Sequence, residues 1–398
     1  MIISESPLLE ALLVITTLLG LLYFYLTSTF NYWKRKGIPY IEPTIIFGNL
    51  KDQFLLKKHL FYVIQEIYNR FAGERFCGYF ESGTPILMIR DPALIERIVV
   101  KDFSYFQNRD FPVDVERDPL SGSLFSLKGN LWRNLRNKLT PTFTTGKLKG
   151  MMQQICRSGD DLVTEIEKST ENKTAIDAKK LCSSFTIDVV ASCAFGLEFK
   201  PGSPEGIQFR KVFDLLLSPS GLLMLRAVIV VFARPLAKLL GLKQIPKKLN
   251  DYVIGLVKQT IRFRENNNIQ RPDFMQLMMN LKAQEAEGKV INWKKSLSED
   301  DEYLNQIDYS PENEKQMVGD KVMTDECIAA QSFVFLTAGS DTVATSIAFI
   351  FYELAANPLV QKQLQQEIDL MLLKSRGKLT YESLRAMTYL DLVVQEAN

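Results

Sequence analysis

The run at 331–346, QSFVFLTAGSDTVATS, puts polar groups inside an otherwise apolar helix pattern. Ala338, Asp341, Thr342 and Thr345 fall at i, i+3, i+4 and i+7, so a small residue, a carboxylate and two hydroxyls share one face. A carboxylate in a buried helix is costly unless paired or solvated, and Gly339 in mid-helix costs about 1 kcal/mol against alanine. Flanked by Phe333, Phe335, Ile347 and Phe349, such a helix has given up stability for a pocket, a water site or a kink. The alternative is a core helix whose Thr and Ser hydroxyls bond back to the preceding turn.

A second feature limits where the chain can reside. Residues 8–30 are apolar apart from Glu10 and scattered Thr and Ser, and as a helix they would be about 34 Å long, enough to cross a bilayer. Tyr23, Tyr25, Tyr32 and Trp33 gather at the far end, followed at once by Lys34-Arg35-Lys36, with Glu5 and Glu10 on the near side. The positive-inside rule puts the amino terminus across the membrane and the rest in the cytosol. A cleaved signal peptide is the alternative, although its basic cluster belongs before the apolar run. Pro39 and Pro43 then forbid a continuing helix and favour an extended, stiff connector. This divides the chain into an anchor at 1–33, a basic, proline-containing hinge at 34–45 and a domain at 46–398.

Beyond the hinge, residues 76–80 and 84–90 read as a hairpin of short strands, and Asp91-Pro92 opens a helix to about Lys101. Apolar residues at three-to-four spacing predict helices at 131–139, 148–168, 177–195, 205–217, 248–266, 273–287, 325–357 and 359–373. The expected fold is therefore mainly α with a small β-sheet. The apolar stretch 215–242 is broken by Pro219, Gly221 and Pro235, and reads either as short helices dipping into a membrane surface or as a buried helix pair. The acidic stretch at about 295–318 reads as a mobile surface loop.

Composition removes several chemistries. With 48 Lys and Arg against 46 Asp and Glu, dispersed and without an aromatic-basic module, nothing suggests nucleic acid. Cys77, Cys156, Cys182, Cys193 and Cys327 form no CxxC pair, so they read as reduced thiols rather than disulfides or a zinc site. The single histidine, His59, beside Lys57 and Lys58, reads as a partly exposed helical residue. Trp132 and Arg136 at i and i+4 set an indole N–H beside a guanidinium, two donors suited to a carboxylate, or else a surface Trp–Arg stack.

Together these residues resemble the cytochrome P-450 family of haem-thiolate monooxygenases, in its microsomal, insect-detoxification type. Ala338-Gly339-Ser340-Asp341-Thr342 is similar to that family's oxygen-binding [A/G]-G-x-[D/E]-T, and Trp132 with Arg136 to its W-x-x-x-R, which holds a haem propionate. Asn108-Arg109 resembles a further propionate position. Residues 137–143, Phe185–Val190 with 194–196, and Tyr352–Ala355 with Asn357-Pro358 are also similar. The resemblance implies haem as cofactor and room for dioxygen at Ala338 and Gly339. It also implies proton delivery by Thr342 and, through water, Asp341. Leu120, Leu124, Phe125, Leu216, Leu217, Val334 and Thr337 would line a pocket for a lipophilic substrate. It further implies an endoplasmic-reticulum membrane location and electrons from an NADPH-dependent cytochrome reductase. That partner would dock on a basic face to which Arg133 and Lys138 contribute, unless those charges are merely solvated.

The resemblance departs at the carboxyl end. Glu396 is similar to the glutamate of the family's E-x-x-R, which has a structural role, but the 398 residues hold neither that arginine nor a Phe-x-x-Gly-x-x-x-Cys loop. The expectation is a helical P-450 fold incomplete at its carboxyl end, with no metal ligand in this sequence. It would be poorly stable, short of haem and inactive as written. The alternative is a non-enzymatic, membrane-tethered remnant that binds an apolar ligand.

Overall fold

A computed structural model describes residues 7–200, 202–217, 245–288 and 323–397, with isolated positions between 221 and 243. The side chains of Leu216 and Leu217, most of the 215–242 stretch and the acidic 295–318 stretch lie outside the described residues. The chain divides into two compact units, residues 1–107 and 108–398.

The first unit begins with α1 (Pro7–Thr27), whose Leu9–Thr27 stretch has a mean hydropathy of 2.0 and no buried residue. Thr16, Thr17 and Thr27 donate their hydroxyls to the carbonyls of Leu12, Leu13 and Tyr23, which hides those polar groups as an apolar surrounding demands. α2 (Tyr32–Lys36) carries the basic cluster and ends on Gly37 in the left-handed region. The helices α3 (Lys51–Phe54) and α4 (Leu60–Arg70) follow, the second opening on His59, whose imidazole accepts the Phe61 N–H. His59 is thus an exposed cap rather than a helical residue, and α4 was not foreseen: only Val63 and Ile67 bury its apolar stripe.

β1 (Phe76–Glu81) and β2 (Thr84–Ile89) form the expected antiparallel hairpin, running from Phe76 opposite Ile89 to Glu81 opposite Thr84. The connector lies against it. Tyr40 bridges Gly78 in parallel, Trp33 donates its indole N–H to Tyr79 O at 3.1 Å, and a Cβ at Gly78 would sit 2.5 Å from the Trp33 ring. Gly78 is therefore required by close approach, and the stiff connector is fixed to the hairpin. α5 (Pro92–Glu96) is capped by Asp91 and runs into a π turn at Arg97–Lys101; α6 (Phe103–Phe106) closes the unit.

The second unit is helical. It comprises α7 (Gly129–Leu139), α8 (Thr145–Glu171), α9 (Ala178–Val190), α10 (Pro204–Leu217), α11 (Lys247–Asn267), α12 (Phe274–Ala286), α13 (Asp325–Ala356), α14 (Pro358–Lys374), α15 (Tyr381–Arg385) and α16 (Thr388–Glu396). The caps are the residues that chemistry favours: Asp177, Asp273, Thr324 and Thr380 accept from the first-turn N–H groups of α9, α12, α13 and α15.

α13 is the axis of the core. It packs most extensively on α9, and also on α11 and the 3₁₀ turn Pro119–Ser121. Phe333 meets the Phe195, Phe209 and Phe213 cluster, with Phe213 and Phe333 centroids 6.4 Å apart. Phe335 stands edge-on to Phe143 and Phe274 at 5.1 and 4.9 Å. α13 is long and apolar enough to cross a membrane, yet these contacts make it a core helix. Below it, Arg264 and Asp273 form a buried bidentate ion pair at 2.9 and 2.6 Å, welding α11 to the start of α12. Gly196 is at φ +69° and a Cβ there would strike that guanidinium at 2.1 Å.

Candidate functional site

α9 runs antiparallel to α13. Lys179 reaches Thr345, Thr186 donates to Ser340 O at 3.0 Å, and Ser332 donates to Ala194 O at 2.9 Å. This contact orients the polar stripe seen in the sequence. Ala338, Asp341, Thr342 and Val343 are exposed, while Ser340 and Ala344 are buried on the opposite side. Gly339 is not part of the open face: a Cβ there would lie 3.6 Å from Val190 on α9, an ordinary contact.

Both readings of the stripe hold in part. Thr337, Thr342 and Thr345 donate to carbonyls of the preceding turn, Thr342 to Ala338 at 2.6 Å. Asp341 is paired as well as solvated: Lys179 Nζ stands 2.7 Å from its Oδ1 and 3.1 Å from its carbonyl, with both side chains about half exposed, 42% and 52%. The carboxylate therefore escapes the desolvation cost, and the hydroxyl of Thr342 keeps its lone pairs free to accept.

The stripe is covered at its amino-terminal end. Gln331 lies fully buried two turns before Ala338 and holds the loop at 120–127, which carries Leu120, Leu124 and Phe125. Leu120 is buried in the core, Leu124 packs against it and Phe125 is exposed. Val334 and Thr337, one and two turns after Gln331, are half-buried. Phe125 stacks on Phe111 at 4.8 Å, and the Arg109 guanidinium lies 5.0 Å over its ring. On α7, Arg136 lies 5.6 Å over the buried Trp132 ring, as the i, i+4 spacing predicts.

These residues fit part of a haem site. Arg109 and Arg136 are exposed, and among the described residues no carboxylate pairs with either, so their donors remain available to propionate groups. The small, open Ala338–Thr342 face follows the closely packed amino-terminal half of α13, and exposure continues beyond it at Val343, Phe349, Phe351 and Tyr352. The thiolate side does not fit. All five cysteines are free; burial pushes Cys327 up to about 12 and Cys193 up to about 11, and it also raises Cys77 and Cys182. The Cys327 sulfur is further engaged by Gln331 Nε2 at 3.8 Å. Buried thiols of this kind stay protonated and make poor ligands. Among the described residues no cluster of His, Cys, Asp or Glu could hold a metal ion.

One sequence expectation moves. Lys138 is buried and forms an ion pair with Glu285, which in turn accepts the Met323 N–H at 2.8 Å; it is not a surface charge open to a partner. Arg133 remains half-exposed. Glu396 lies on an open groove of about 670 Å³ between the ends of α13 and α16, together with Phe349, Glu353 and Leu392. Gln331 and Lys179 were not singled out from sequence. An amide between Ala330 and Phe333 in an apolar run was the available signal for the first, and nothing local marked the second.

With the fold and site in place, comparison with known proteins is direct. The family model described as Cytochrome P450 matches residues 38–301 and 284–397. The chain belongs to the cytochrome P450 family, and so by family to the haem-thiolate monooxygenases, oxidoreductases whose cofactor is haem. It is similar to Cytochrome P450 6B7 of Helicoverpa armigera, 35% identical over 384 residues, covering 96% of this chain and 70% of that protein. Probable cytochrome P450 6d4 of Drosophila melanogaster is 34% identical over 388 residues, 97% of this chain and 72% of that protein. Cytochrome P450 6B1 of Papilio polyxenes is 32% identical over 390 residues, 98% of this chain and 72% of that protein.

Proposed function

We propose that this chain is the distal part of a membrane-bound monooxygenase for lipophilic substrates, held at the endoplasmic reticulum by α1. The observation that carries the reading is the small, open Ala338–Thr342 face next to the packed amino-terminal half of α13, in one unit with the two guanidiniums that no described carboxylate neutralises. When bound, haem would supply activation of dioxygen. Arg109, Trp132 and Arg136 would hold its propionates as charge-assisted donors. Ala338 leaves room at the reacting face. Thr342 accepts and passes protons at its hydroxyl oxygen, and Asp341 draws them from water through its solvated carboxylate. Leu120, Leu124, Phe125, Val334 and Thr337 line the substrate side, and Arg133 contributes to docking of an NADPH-dependent cytochrome reductase. Glu396 has a structural part.

These 398 residues include no cysteine in the Phe-x-x-Gly-x-x-x-Cys context, and burial raises four of their five thiols above the ordinary value. A second reading of the same residues is a membrane-tethered binder of apolar molecules without turnover. The reduced carbon-monoxide difference spectrum of the 398-residue polypeptide separates the two. The expected result is no thiolate-type Soret band. A thiolate-type band that disappears in one Cys→Ser variant would overturn that expectation.

A further inference from the structure

The Gln331 amide is fully enclosed, yet each of its polar atoms is used on a segment more than two hundred residues away. Nε2 donates to Gly122 O at 3.0 Å, and Oε1 accepts the Leu124 N–H at 2.8 Å. Nε2 also reaches Cys327 O at 3.2 Å. Exchanging the amide oxygen and nitrogen would break both loop bonds, so the partners fix its orientation. The side chain thus pairs with the loop as a peptide group of a neighbouring strand would.

The loop has a second fastening at its other end. Asp118 accepts from Ile245 N at 2.8 Å and from Asn250 Nδ2 at 2.7 Å, and Asn250 Oδ1 accepts the Leu120 N–H at 3.3 Å. Leu120 and Leu124 are held directly by these buried clamps, and Phe125 follows the second. Along α13, Val334, Ala338 and Thr342 continue the stripe that starts at Gln331, and Ala338 is roughly 10 Å further along the axis. The loop therefore hangs on the same stripe, two turns before the open window.

We propose that Gln331 is a positioning residue that clamps the 120–126 loop to α13 and thereby sets the size of apolar ligand admitted to the Ala338–Thr342 window. The inference rests on the reading of that window as the wall of a ligand pocket. An aliphatic residue at 331 leaves the Gly122 carbonyl and Leu124 N–H without partners in a buried place, and the loop must move to satisfy them. A carboxylate at 331 offers no proton to Gly122 and sets a buried negative charge against that carbonyl, so the loop moves away and Leu124 loses its acceptor as well. Once protonated the carboxyl group restores both bonds, and burial raises its pKa toward accessible pH.

The test uses the full chain in lipid nanodiscs, as wild type, Gln331→Leu and Gln331→Glu. Hydrogen exchange at the Leu124 amide is read together with binding of a 7-alkoxycoumarin series of increasing chain length. In Gln331→Leu, Leu124 exchange rises about tenfold and the chain-length preference flattens. Gln331→Glu behaves likewise at pH 8 and returns toward wild type at pH 5. If Gln331→Leu fails to fold, the two pH values on Gln331→Glu carry the test alone. Leu124 exchange unmoved at both pH values would overturn the clamp, and altered exchange with an unaltered chain-length preference would overturn the role in ligand size. A wild type that binds no alkoxycoumarin while the exchange response is intact refutes the pocket reading, and the size role with it, but supports the clamp.

Discussion

Replacing Asp273 by alanine should destabilise the second unit more than any surface change. Arg264 is 2% exposed and Asp273 0% exposed, and Arg271 adds a second guanidinium to the same carboxylate at 3.1 Å. Asp273→Ala leaves a buried arginine without its counter-charge, a loss of about 3–5 kcal/mol. It also removes the acceptor that caps α12 at Gln276 N, worth about 1 kcal/mol more. The expected loss is about 4–6 kcal/mol, with little dependence on salt because the pair is dry. Urea unfolding in detergent, followed by tryptophan fluorescence, measures it against Lys149→Met, which breaks an exposed pair with Glu382 and should cost less than about 1 kcal/mol. Adding Arg264→Met to Asp273→Ala should recover part of the loss, since the stranded charge is then gone. If Asp273→Ala costs no more than Lys149→Met, the weld between α11 and α12 is not what holds this part of the core.

Other expectations follow from the same contacts. Lys179→Met, which breaks a half-exposed pair with Asp341, should change stability by less than about 1 kcal/mol in thermal melts. Gly78→Ala forces a methyl into the Trp33 ring and should destabilise the hairpin unit by about 1–3 kcal/mol, read by exchange of the Tyr79 and Phe80 amides. Cys327 and Cys193, raised to about 12 and about 11 from an ordinary value near 9, should resist iodoacetamide at pH 8, with labelling located by mass spectrometry. Because the folded chain then binds more protons than the unfolded one, stability is unaffected by these thiols below about pH 9 and falls as pH rises toward 12. Removal of residues 1–33 should shift the protein from the membrane pellet towards the supernatant after carbonate washing.

Local chemistry made much of the fold legible. Apolar residues at three-to-four spacing predicted a helix at 325–357 that is observed at Asp325–Ala356, with Thr324 as its cap. The hairpin was equally clear, because two short apolar runs flank Ser82-Gly83. What escaped was decided by distant partners. Lys138 looks like any helix-surface lysine until α7 meets Glu285, 147 residues away. Gly339 looked like open space because its own helix says nothing of Val190. Gln331 was visible as an amide in an apolar run, but its two loop partners are set by tertiary packing alone. The polar stripe itself was readable at Ala338 and Thr342, whereas the pairing of Asp341 with Lys179 required the antiparallel seat of α9.

The claim that Ala338 faces the reacting side of a haem site is tested most directly on the chain fused at its carboxyl end to a segment that carries a Phe-x-x-Gly-x-x-x-Cys loop. The reduced carbon-monoxide difference spectrum is recorded for this chain and for its Ala338→Trp variant, with haem content measured in both. The account predicts a thiolate-type Soret band in the first and its loss in the second, with haem retained. A carbon-monoxide band of equal size in Ala338→Trp would contradict it.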